Sequence, residues 1–155
     1  MPKLDLDRIP QTNATGYPAP YDRAVAGRHY RRLSPVARLK HLGASHVVLN
    51  PGAFSSQRHW HRNQDEIVVI VLGEAVLIEE DGETRVVAGD ALAFPAGVEN
   101  GHHLHNRGTD PCVYVAIAAG DRAADSGEYS DIDMVFDADG YARKDGTRYD
   151  AERLP

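Results

Sequence analysis

A chain of 155 residues with 26% charged residues is long enough to bury one core and too apolar for wholesale disorder. Its formal net charge of -6 and lack of a basic stripe exclude nucleic acid as the expected partner. No apolar run approaches the roughly 20 residues that span a bilayer, the opening MPKLDLDRIPQTNATGYPAPYDR lacks a secretion signal's apolar core, and Cys112 is the only cysteine. Neither a membrane, nor an intrachain disulfide, nor a thiolate cluster is therefore expected, and a reducing cytoplasm is the expected compartment.

Residues 1–45 begin rich in Pro, Gly, Asn and Tyr, which predicts an extended N-terminal arm. SPVARLKHLG fits a short helix capped by Ser34, with Pro35 at its first position and Gly43 as its stop, or a loop passing over the sheet. Residues 46–120 are expected to form a β-barrel. HVVLN closes at Pro51-Gly52, EIVVIVLG at Gly73, and AVLIEE meets ETRVVAG across Asp81-Gly82, a hairpin signal. DALAFPAG, HHLHNR and CVYVAIAAG follow as further short runs. Strands at this spacing, without a helical period, predict a small antiparallel barrel or sandwich.

In EIVVIVL, Glu66, Val68, Ile70 and Leu72 share one face, and Ile67, Val69 and Val71 share the other. Both faces must be covered, the outer one by a second sheet, the N-terminal arm or a partner subunit, and a homodimer is expected. Residues 121–155 are expected to be a C-terminal tail packed on the barrel by Tyr129, Met134 and Phe136. Asp131, Asp133, Asp137 and Asp139 cluster there, but a calcium loop with its terminal glutamate is missing.

The chemistry concentrates in two segments. Residues two apart in a strand point the same way, so in RHWHRNQDE His59 and His61 project together while Trp60 faces the opposite side. An antiparallel return after the polar turn sets Glu66 beside them. Two imidazoles and a carboxylate suit one divalent transition metal: iron, manganese, nickel, copper, cobalt or zinc. A fourth ligand is expected from PAGVENGHHLHN; five of the eight histidines lie in these two segments. His29, His41 and His46 are expected to be surface or packing residues.

These residues resemble the cupin superfamily of β-barrel metalloproteins. Gly52, His59, His61, Glu66 and Gly73 match its first motif, with one extra residue between Gly52 and His59. Gly89, Pro95, Gly97, His102 and Asn106 match its second, except that four residues rather than two separate Gly97 from His102. An alignment of ordinary length would place Asn100 at the ligand position. The resemblance implies an all-β double-stranded β-helix, a jelly-roll barrel with N- and C-terminal arms. It also implies a metal held by His59, His61, Glu66 and His102. Strand phase separates His102 from His103: Leu104 shares the His102 face, whereas His103 runs in phase with His105. A bulge in the longer loop would reverse that phase.

The expected function is a metal-dependent enzyme acting on a small oxygen-rich or carbonyl-containing substrate. Dioxygen activation and Lewis-acid chemistry (dioxygenase, isomerase or lyase) both remain open, with Glu66 also serving as a catalytic base. The alternative is a non-catalytic module that binds a metal or small molecule. Leu92 and Phe94 are expected to wall the pocket. Trp60, Tyr114 and Cys112 are expected to pack, His105 to lie outside the cavity, and Arg58 to be a solvated surface arginine rather than a clamp on a substrate carboxylate.

Overall fold

The computed structural model describes residues 3–149. In chain order the strands are β1 (Arg28–Arg32), β2 (Leu42–Leu49), β3 (His59–His61), β4 (Gln64–Leu72), β5 (Glu74–Glu79) and β6 (Gly82–Val87). Then follow β7 (Ala91–Phe94), β8 (His103–His105), β9 (Cys112–Gly120), β10 (Gly127–Tyr129), β11 (Val135–Asp137) and β12 (Gly140–Ala142). The described residues form three sheets, in the orders β1-β2-β9-β4-β7, β12-β11-β10-β3 and β6-β5-β8. This is the expected jelly-roll arrangement. Among the described residues no helix is long and apolar enough to cross a membrane.

Alternation along the long strands builds the core. Val68 and Ile70 point inward with Val47, Leu49, Cys112 and Tyr114 from β2 and β9, while Leu77, Val86 and Leu104 close from the smaller sheet. Leu92 and Phe94 pack against this cluster, as expected for pocket walls. Cys112 is wholly buried, and desolvation pushes its thiol up to about 11, so it behaves as a small hydrophobe. Ile67 lies 46% exposed on the opposite face of β4, in register with Ile117 and Ala93. Leu72 does not join the inward row. A register shift between Ile70 and Leu72 turns it out, 61% exposed. The turn after it depends on Gly73: its φ is +74°, and a Cβ there would lie 2.5 Å from the Pro111 carbonyl oxygen.

The helix expected from Ser34 to Gly43 is a single turn, Leu33–Ala37, with Arg32 at its cap. Arg38 in the left-handed region ends it, and Gly43 belongs to β2, opposite Ala118. Ser34 does not cap the helix: its buried hydroxyl accepts from the Ala44 amide at 2.6 Å. Both flanking segments contribute strands rather than merely packing. β1 extends the five-stranded sheet, and β10 pairs directly with β3. Tyr17 and Val25 from the arm meet Tyr129 and Met134 in a second buried cluster. The last residues of the expected tail lie outside the described residues.

Candidate metal centre

The three residues of β3 lie between two different segments. On one side β10 pairs with it, Tyr129 opposite His59 and Gly127 opposite His61. On the other, His59 and His102 exchange backbone hydrogen bonds of 3.3 and 2.9 Å. Gly127 permits the close pairing: a Cβ there would lie 2.0 Å from the Trp60 carbonyl oxygen and 2.6 Å from the Phe136 ring. Trp60 points away from the two histidines and is buried, with the Arg62 guanidinium 5.0 Å above its ring.

His59, His61 and Glu66 offer ligand atoms all within 4.8 Å of one another. The two Nε2 atoms face each other at 3.1 Å. His59 Nδ1 lies 2.9 Å from the Gln57 carbonyl, which can only accept, so Nδ1 carries the hydrogen. His61 Nδ1 lies 2.6 Å from Asp125 Oδ2, and an ionised carboxylate fixes the same tautomer. In the neutral rings both Nε2 atoms are then bare lone pairs pointing at each other. A proton or a metal cation must separate them. Burial, helped by the His61 and His102 rings, drives His59 from its ordinary 6.5 down to about 3. Protonating His59 is therefore costly, and the donor set fits a cation between the rings.

Glu66 stands in the inner row of β4, opposite Phe94 and Ala118. Burial pushes its carboxyl up, but the hydrogen bond from His102 and the electrostatic influence of His59, His102 and His61 outweigh burial and hold it below the ordinary carboxylate value. It is ionised at neutral pH. His102 Nε2 lies 3.1 Å from Glu66 Oε2, and the ring stacks on Phe94 with centroids 3.5 Å apart. Unlike the other two rings, His102 has no partner for its buried Nδ1, so the Phe94 stack and the Glu66 contact at Nε2 orient it. His103 points elsewhere, its Nδ1 3.0 Å from the Ser56 carbonyl and its ring against Phe54. Elemental analysis of single variants is expected to show marked metal loss in His102→Ala and near wild-type content in His103→Ala. The reverse order would assign the ligand to His103.

Several functional neighbours escape a sequence reading. Asp125, 6% exposed, is held 64 residues from His61 and also accepts from the Asn63 amide at 3.0 Å. The Tyr129 ring stacks on His59 at 5.4 Å. Arg58 is not the solvated residue expected. Its side chain is 11% exposed, forks onto Asp131 at 2.9 and 2.6 Å and reaches Glu80 at 3.2 Å, fastening the C-terminal segment to β3. Asp131 is thereby engaged, as is Asp137 by Arg148. Asn100 instead bonds the Glu80 amide and Glu79, away from the ligand atoms.

The family profile of the cupin domain matches residues 45–118. A solved structure from Silicibacter pomeroyi DSS-3, described as a sugar phosphate isomerase from a cupin superfamily, is 40% identical, covering 99% of this chain and 100% of its own, with a TM-score of 0.89. The chain belongs to the cupin superfamily. An oxalate decarboxylase of Bacillus subtilis strain 168 is 32% identical to this cupin over 91 residues, 56% of the chain, which spans 23% of that protein. A polyketide cyclase from Streptomyces resistomycificus shares the fold at 17% identity and a TM-score of 0.58, covering 77% of this cupin and 79% of its own chain.

Proposed function

We propose that this cupin is a metal-dependent isomerase acting on a small hydroxy-carbonyl molecule of the sugar type. The observation that carries the reading is the pair of facing His59 and His61 Nε2 atoms beside an ionised Glu66, all lining one cavity of about 1400 Å³. The name of the full-length Silicibacter relative supports the isomerase branch over the oxygenase one. His59, His61, Glu66 and His102 would hold the ion. Bound there, a divalent cation would supply Lewis acidity toward a substrate carbonyl oxygen.

The chain's own groups do the rest. Glu66 accepts the proton from the hydroxyl-bearing carbon next to the carbonyl and returns it to the former carbonyl carbon, while the hydroxyl proton passes to the former carbonyl oxygen, so the hydroxyl and carbonyl exchange places. Its Oε2 is engaged by His102, while no side-chain hydrogen bond reaches Oε1 among the described residues. Phe94 lies parallel against His102, and Tyr114 is buried in the wall, so one side of the site is dry.

The test is deuterium uptake from D2O into a panel of aldoses, ketoses and their phosphates, with protein loaded with each candidate metal. Uptake at the carbon beside the carbonyl is expected. Glu66→Gln is expected to lower it by about 10²–10⁴-fold. Elemental analysis of that variant separates loss of the base from loss of the metal. Metal-loaded protein that binds these molecules but exchanges no hydrogen would instead make it a non-catalytic binding module.

A further inference from the structure

We propose that Arg28 is an anion-binding residue inside the cavity, and that the molecule held before the metal centre carries an oxyanion group, phosphate or carboxylate. This rests on the reading of the cavity as a substrate site and adds the charge its ligand must have. Arg28 stands on the inward face of β1, opposite Leu49, in the row that continues to Cys112; both neighbours are fully buried. One nitrogen, Nη1, donates to the Ser55 carbonyl at 2.8 Å. Its Nε is buried without any partner. No carboxylate lies within ion-pair distance of it among the described residues, whereas Arg58, Arg107 and Arg148 each fork onto one. A guanidinium always carries its charge and offers five N–H donors in a planar fork that suits two oxygens of one oxyanion. Leaving that fork largely empty in a partly desolvated place is unfavourable without an opposite charge.

A second cation repeats the point. Arg32, exposed at the end of β1, lies four residues along the same strand face, and both guanidinium carbons approach the Tyr30 ring, at 5.4 and 5.7 Å. Two like charges share one ring, with no acid paired to either among the described residues. The cavity lined by Arg28, Tyr30 and Arg32 is the one lined by His59, Glu66 and His102. Tyr114 lines the same cavity. The rows of the sheet agree: Tyr30, Val47, Tyr114 and Ile70 lie side by side from β1 across to β4. A small molecule with its carbonyl at the histidines would present an anionic end to this side.

Calorimetric titration of the full chain, stripped of metal by chelation and dialysis, isolates this end from the metal. Inorganic phosphate and acetate are the two probes. The wild type is expected to bind at least one of them saturably, one per chain. Preference for phosphate or acetate identifies which oxyanion the ligand carries. Arg28→Gln is expected to weaken that binding by about tenfold or more, and Arg28→Lys by less, since it keeps the charge and loses the fork. Arg38→Gln, exposed on the outside, is expected to change nothing. Should Arg28→Gln not fold, Arg32→Gln and Arg28→Lys carry the comparison. Absence of saturable binding to the wild type, or binding undiminished by the Arg28 changes, would overturn the proposal. Failed metal uptake with intact, Arg28-dependent anion binding would instead count against the metal reading alone.

Discussion

The wild type is expected to purify with about one ion per chain, and protein carrying His59→Ala together with His61→Ala to retain no stoichiometric metal. The two rings supply the facing nitrogens that need a cation between them, and Glu66 with His102 leaves only two donors. The double variant is expected to fold, because the larger apolar cluster of Val47, Leu49, Val68, Ile70 and Leu104 includes neither histidine. Melting then separates binding from folding. Metal at a thousandfold excess over its dissociation constant should raise wild-type stability by about 4 kcal/mol and leave the variant's unchanged. Stoichiometric metal in the double variant would remove these histidines from the ligand set.

Asp125→Asn is expected to lower metal affinity by about 10–100-fold, and by more than Asp125→Ala. The carboxylate accepts on both oxygens, from the His61 ring at 2.6 Å and from the Asn63 amide at 3.0 Å. An amide offers only one acceptor. If its oxygen stays with the Asn63 amide, its NH2 meets His61 Nδ1 and forces the proton onto Nε2, which blocks the metal-facing lone pair. If it turns over, two N–H groups meet at Asn63. Alanine orients nothing but also blocks nothing. Competition with a chromophoric chelator measures both affinities, and a loss in Asp125→Asn no greater than in Asp125→Ala would overturn the tautomer argument. Gly127 belongs to the same device, since any side chain there would push β10 from β3 and draw Asp125 off His61.

The parts of this molecule legible in its sequence are those set by short-range spacing. His-x-His, the later Glu66 and the Asp81-Gly82 hairpin each follow from a residue's immediate neighbours, and the structure places them as expected. What stayed hidden depends on contacts distant in the chain. Asp125 sits in DRAADSGE, which reads like any solvated loop, and only pairing across 64 residues makes it a partner of His61. RHYRR carries four basic side chains in five, and only pairing with β2 sets Arg28 opposite the buried Leu49. Arg58 was expected to be solvated because its acids, Glu80 and Asp131, lie far from it in the chain. Leu72 failed differently, because a register shift reverses the alternation on which the reading rested.

The pairing of β3 with β10 also fixes the order in which the centre can be completed. A growing chain that has emerged only as far as Gly120 already holds His59, His61, Glu66 and His102, yet lacks Asp125 and the strand that aligns β3. Closing so long a loop costs entropy before any contact rewards it, and a three-residue strand returns little on its own. A cation seated between the histidines favours the same ring orientations that Asp125 and Tyr129 favour, so ion capture and closure of the C-terminal strands reinforce each other. An ion bound at the centre would thus hold the C-terminal strands against β3, although those strands supply none of its ligands.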